Sequence, residues 1–268
     1  VITSTSNNKV KSLVALNSKS KIRHKEGVFI VEGVKMFHEA PRSWIKEVYM
    51  SESYINKYGL DDYKGYKYEI FSDDVFKKVS DTQTPQGILC VMSMPHYELN
   101  DYIGNGVDNK LFVILEDLQD PGNLGTIFRA GEGAGVSGII MTDNTADIFN
   151  PKVIRSTMGS IYRVPFFTIN NTCDAIGTLK NNGISVYAAH LDDSVNYDEA
   201  DYTKPTAFLI GNESKGLKRE TADMATGYIK IPMAGQVESL NAAVATSILM
   251  YEAQRQRRLV ERKRSTLS

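Results

Sequence analysis

Apolar positions in the first part of the chain follow two spacings. Val10, Leu13, Val14 and Ala15 fall on one face of a helix, whereas 28–31, 45–50 and 88–92 are short apolar runs of strand length. Residues 34–40 suit a helix that Pro41 stops. Mixed helix and strand over roughly 90 residues describes a small α/β domain. From 93 to 110 the pattern breaks down into proline, glycine, asparagine and aspartate, the composition of a connection between domains. The expected organisation is therefore a domain over 1–95, a linker over 96–110 and a second domain over 111–268.

Beyond the linker the apolar runs lengthen. Strands are expected at 111–115, 138–142, 184–189, 207–211 and 227–231, several of them uninterrupted, as a parallel sheet covered on both faces requires. Helical spacing falls between them at 123–133, 150–158 and 171–182. A last helix is expected over 239–262, with Leu240, Ala243, Val244, Ser247, Ile248 and Tyr251 on one face. The glycines Gly131, Gly133 and Gly135 follow a helical face rather than a strand, so they read as the end of a helix and not as a dinucleotide fingerprint.

Composition adds limits. With 268 residues, 42% hydrophobic and 24% charged, the chain has globular proportions. No apolar run approaches the ~20 residues of a membrane span, no basic leader precedes an apolar stretch, and a cytoplasmic address is the default. Cys90 and Cys173 have no Cys or His at ligand spacing, so both are expected to be buried reduced thiols, and no metal is expected. The net charge of −1 conceals two basic runs, Lys9, Lys11, Lys19, Lys21, Arg23 and Lys25 at one end and Arg255, Arg257, Arg258, Arg262, Lys263 and Arg264 at the other. Such runs serve as a phosphate-binding face or as solvated helix ends, and composition leaves both open.

Three segments carry the candidate chemistry. In the first, the strand ending at Leu115 leads through Glu116, Asp120 and Pro121 into Asn123, Gly125 and Arg129, with Asn123 at a helix cap. The second, around Gly211, Glu213 and Gly216, is a strand that ends in a glycine-flanked loop. The third leads from Ile231, Pro232 and Met233 to Ser239, Leu240 and Asn241, with Ser239 or Glu238 near the cap of the last helix. Each alone is an ordinary cap or turn.

Taken together and in this order, they resemble the three motifs of the SpoU family of RNA 2′-O-methyltransferases, over residues ~111 to 258. The resemblance implies a trefoil-knotted parallel-sheet methyltransferase domain. Residues 26–33 are similar to part of the small ribosomal-protein-like α/β domain that precedes it in many members. It further implies S-adenosylmethionine as cofactor, RNA, above all ribosomal RNA, as substrate, and a homodimer through the C-terminal domain, for which the last helix is a candidate. Arg129, Asn123, Glu213, Ser239 and Asn241 match catalytic positions. Gly211, Gly216, Ile231, Met233 and Leu240 match cofactor positions, and Arg155 matches a segment near the active site that, with Arg23 and Lys25, would hold RNA. Arg129 suits charge stabilisation better than proton abstraction, because a guanidinium stays protonated. A transfer-RNA or base-nitrogen methyltransferase of the same fold, and a non-catalytic RNA-binding or ribosome-assembly protein, are the alternatives.

Overall fold

The computed structural model describes residues 1–104, 109–190 and 194–265, which form two compact units. The first comprises Val1–His96 together with Asp147–Tyr162. Its helices α1 (Asn8–Ser18), α2 (Ser20–Glu26), α3 (Val34–Glu39), α4 (Glu52–Tyr58) and α5 (Asp73–Val79) accompany four strands, β1 (Val28–Glu32), β2 (Ile45–Ser51), β3 (Tyr68–Phe71) and β4 (Ile88–Ser93). The sheet order is β1-β4-β2-β3. Helix α1 buries Val10, Leu13 and Leu16 into a core shared with Ile30, Tyr49, Phe71 and Phe76. Each fully buried side chain of this size contributes about 1.5–3 kcal/mol. Strand β3 was not expected, since it lies at the sheet edge and only Phe71 is buried.

The second unit comprises Tyr97–Ala146 and the chain from Arg163 onward. It begins with α6 (Leu99–Ile103), β5 (Leu111–Leu115), α7 (Pro121–Gly133) and β6 (Gly138–Thr142). Residues 147–162, with helix α8 (Pro151–Thr157), go with the first unit. Within it Phe149 packs on Phe29 at 4.8 Å and the Tyr162 hydroxyl donates to the Met36 carbonyl at 2.9 Å. The second unit continues with β7 (Phe166–Ile169), α9 (Thr172–Asn181), β8 (Ser185–Ala189), β9 (Val195–Asn196), β10 (Thr206–Ile210), α10 (Arg219–Ala222), β11 (Gly227–Lys230) and α11 (Ala242–Ser265).

These strands form one parallel sheet in the order β7-β6-β5-β10-β8-β11-β9. Strands β5, β6 and β10 are buried at every position, as their uninterrupted apolar runs require. Gly135, at φ +67, lies just past the end of α7, in keeping with the helix-stop reading of its glycines.

Several expectations are corrected. Residues 105–108 of the expected linker lie outside the described residues. Of the rest, Tyr97, Leu99, Tyr102 and Ile103 pack against the second core, so this segment is part of the unit. The last helix starts at Ala242 and buries Ala243, Thr246, Leu249, Met250 and Ala253, while Val244 and Tyr251 are exposed. The face read from the sequence is thus offset from the buried row, with Leu240, Ser247 and Ile248 half-buried, because Thr246 and Met250, rather than Val244 and Ile248, extend the row begun by Ala243. Cys90 is buried but Cys173 is only half-buried, near the start of α9.

Candidate functional site

The loop that follows β10 closes on itself. Asn212 and Gly216 exchange backbone hydrogen bonds of 3.1 and 2.9 Å, and the Asn212 Oδ1 accepts from the Ser214 and Lys215 amides at 2.9 and 3.0 Å. The Asn212 Nδ2 donates to the Asp117 carbonyl at 2.7 Å, which ties this loop to the one after β5. Gly211 is required by space: a Cβ there would lie 2.4 Å from both the Gly216 carbonyl carbon and the Leu217 nitrogen. Asn212 was not among the sequence candidates, since an asparagine in a glycine-rich turn is unremarkable until its partners are known.

So closed, the loop presents Glu213 to the start of α7. Its carboxylate accepts from the Gln119 and Asp120 backbone amides at 3.1 and 3.0 Å and from the Asn123 Nδ2 at 3.1 Å. Burial pushes the Glu213 carboxyl up, but these donors outweigh it and hold the group below the usual carboxylate value. Asn123 does not cap α7; Asp120 does, accepting from the Asn123 amide at 2.7 Å with Pro121 in the first turn. That frees the Asn123 side chain, whose Oδ1 accepts from the Asn241 Nδ2 at 2.8 Å. Asn241, rather than Ser239 or Glu238, caps α11, its Oδ1 accepting from the Ala243 and Val244 amides. Its short amide reaches those two N–H groups while its nitrogen remains free to donate. Glu213, Asn123 and Asn241, one from each motif, thus form a continuous hydrogen-bonded chain.

Beside this chain lies a cavity of about 600 Å³ at the carboxyl ends of β8, β10 and β11. Its lining includes Gly211, Gly216, Ile231, Met233 and Leu240, together with Glu213, Ser239 and Asn241. Parallel sheets bind ligands at this end of their strands. The residues fit an adenosine-bearing sulfonium: glycines expose backbone groups, Ile231, Met233 and Leu240 offer apolar surface, and the ionised Glu213 supplies negative charge nearby.

Arg129 stands apart from this lining. It is exposed on α7 and has no hydrogen bond or ion pair among the described residues. In the first unit, Lys25 is exposed and Arg155 is paired with Asp81 at 2.5 Å in a solvent-accessible bridge that phosphate can replace at little cost. Arg23, in contrast, is buried: its guanidinium donates to Asp147 and to the Leu16 and Asn17 carbonyls. With every donor nitrogen engaged inside the unit, Arg23 is a structural residue and not an RNA contact. Arg257 of the C-terminal basic run is likewise buried, donating to the Tyr202, Asn109, Lys110 and Lys204 carbonyls.

Comparison with known proteins agrees with this geometry. Residues 110–251 match the SpoU rRNA Methylase family and residues 7–90 match the MRM3-like substrate binding domain. The 23S rRNA (guanosine(2553)-2′-O)-methyltransferase RlmP of Bacillus subtilis is 33% identical over 93% of this chain and 97% of its own. An AdoMet-bound rRNA methyltransferase from Sinorhizobium meliloti superposes with a TM-score of 0.84 at 34% identity, over 95% of this chain and 97% of that one. The SpoU methyltransferase AviRb from Streptomyces viridochromogenes, in complex with AdoMet, does so with a TM-score of 0.85 at 27% identity, over 94% and 98%. With the second and third motifs lining one cavity, the first joined to both through Asn123, and matches that span both units, the chain belongs to the SpoU rRNA methylase family and is an S-adenosylmethionine-dependent RNA 2′-O-methyltransferase.

Proposed function

We propose that this chain methylates a ribose 2′-hydroxyl of 23S ribosomal RNA, with the first unit holding RNA and the second carrying out the transfer. The observation that carries this reading is the Glu213–Asn123–Asn241 chain beside the 600 Å³ cavity. Gly211 and Gly216 would hold S-adenosylmethionine through backbone groups, and Ile231, Met233 and Leu240 would pack against its adenine. When bound, the cofactor supplies an electrophilic methyl group on a sulfonium. Asn123, Glu213, Ser239 and Asn241 form the polar frame that orients the acceptor ribose. Arg129 stabilises the negative charge that develops on the 2′-oxygen, as a fixed cation with a planar fork of donors.

Because Arg129 lies outside the cavity lining of its own chain, the reading includes a homodimer in which it completes the partner copy's site. The exposed Val244 and Tyr251 on α11 support such an interface. The knotted threading of the family belongs to the same reading. None of the described helices is long and apolar enough to cross a membrane. The reading also includes a cytoplasmic reaction, which a ribosomal RNA substrate supports.

The test is to incubate the protein with unmodified 23S rRNA transcript and labelled S-adenosylmethionine, then hydrolyse the RNA with alkali. A 2′-O-methyl group blocks cleavage at its own nucleotide, so label in a resistant dinucleotide is expected. Label in a mononucleotide would indicate a methylated base and overturn the ribose assignment. Transfer to transfer RNA alone would overturn the substrate class.

A further inference from the structure

The first unit contains a groove of about 690 Å³ between α4, α5 and the loop before β4. Its lining includes the buried rings of Tyr54 and Phe76. Tyr58, at the end of α4, is 57% exposed, leaning on Tyr54 with ring centroids 4.8 Å apart. Lys57 and Lys77 contribute two cations from different helices, and the Lys57 ammonium rests 4.9 Å from the Tyr58 ring centroid. Asp73 adds one carboxylate, held by the Ser53 amide at 3.1 Å and by the Ser53 hydroxyl.

The groove's rim is fixed by the backbone. Gly87, at φ +86, lies so near the floor that a Cβ would come within 2.7 Å of the Tyr54 Cβ and 2.8 Å of the Ser51 Oγ. Gln86 crosses back to accept from the Val34 amide at 2.9 Å, and a Cβ on Gly33, at φ +108, would meet its Oε1 at 3.0 Å. A rigid rim, an exposed aromatic ring and two lysines are not needed to complete this core, which is closed beneath them. The volume lies within the ordinary range for a small-ligand site.

We propose that this groove seats an unpaired nucleotide of the RNA substrate, its base stacked on Tyr58 and its flanking phosphates on Lys57 and Lys77. This deepens the functional reading above and rests on it. Aromatic rings take unstacked bases irrespective of sequence, and lysines beside them follow the backbone. A base that takes the Tyr58 face releases the Lys57 ammonium to the adjoining phosphate. Asp73 accepts from an exocyclic amino group, so its charge favours a base edge rather than repelling the strand. The two-to-one balance of cations over carboxylate favours RNA over a basic peptide.

The test measures filter-binding affinity of the full chain for unmodified 23S rRNA transcript, with methyl transfer followed in parallel. Tyr58→Ala should weaken binding at least about fivefold, the lower end for loss of one base–aromatic stack, while Tyr58→Phe binds as wild type does. The Lys57→Ala/Lys77→Ala double variant should reduce the salt slope of log Kd by about 1.4, as two lost phosphate contacts on a single strand require. Cofactor affinity should be unchanged in all three, because the cofactor cavity belongs to the second unit, and far-ultraviolet circular dichroism with a thermal melt that overlays the wild type's establishes that the first unit folds. Affinity within twofold of wild type for Tyr58→Ala, or an unchanged salt slope for the double variant, overturns the proposal. A wild-type protein that binds the transcript but transfers no methyl group overturns the functional reading alone, since the groove is still decided by Kd. A wild type that does not bind overturns both.

Discussion

The Asn123 Nδ2 donates to the Glu213 Oε1 at 3.1 Å, joining residues 90 positions apart in the chain. The contact is possible because Asp120 takes over the capping of α7 and the Asn212 clamp holds the facing loop closed. Glu213 is therefore a hinge pin between two motifs, and its charge matters as well as its shape.

Glu213→Gln should slow methyl transfer by about 10²-fold, the cost of misplacing a site by a fraction of its own dimensions. An amide offers one acceptor oxygen where three N–H donors converge, and turns its own NH₂ toward one of them. Because the folded carboxyl is held below its ordinary 4.5, its contribution to stability is complete above that value and is lost as pH falls through the lower folded one. Denaturation midpoints of wild type and variant, compared between about pH 3 and about pH 7, should converge at the acid end. A gap that stays constant with pH would show that the charge is not what holds the loops.

Gly211→Ala should weaken cofactor binding at least about tenfold, because its methyl group would displace the Gly216–Leu217 backbone that shapes the cavity. Calorimetry with S-adenosylmethionine reads this directly. Gly177, whose Cβ would meet nothing within 4 Å, is the matching control, and Gly177→Ala should bind as wild type does.

Arg129→Ala should lower single-turnover rates by about 10²–10³ at saturating cofactor and RNA, with cofactor affinity nearly unchanged. Arg129→Lys should rescue little, since it keeps the charge and loses the fork of donors. Wild-type rates in both variants would return Arg129 to the role of an exposed helix residue.

Arg23→Met should destabilise the protein by about 3–5 kcal/mol in urea denaturation, because it breaks a buried ion pair and leaves the Asp147 carboxylate without its guanidinium, held by Ser20, His24 and the Phe149 amide. Lys25→Ala, two residues away and exposed, should change stability by no more than about 0.5 kcal/mol. Equal stability of the two variants would contradict the buried role of Arg23.

The alternation of apolar runs and helical spacing was enough to place β5, β6 and β10, because strands covered on both faces must be apolar throughout. It missed β3, β7 and β9, which occupy the edges of their sheets and span four, four and two residues, too short for a period to register. The three motifs were legible because glycine, asparagine and carboxylate at fixed spacing are local features of the chain. Which residue in each motif faces which other was not. Asn241 caps α11 locally through its Oδ1, but only the fold brings Asn123, 118 positions earlier, to accept from its Nδ2. The basic runs are ambiguous for the same reason. Arg23 and Lys25, or Arg257 and Arg258, are indistinguishable as neighbours in sequence, and tertiary structure alone brings Asp147 to Arg23 and four carbonyls to Arg257. Pattern determines what a segment buries, but the partners of a buried charge come from distant segments, so only the fold decides which cations are left for RNA.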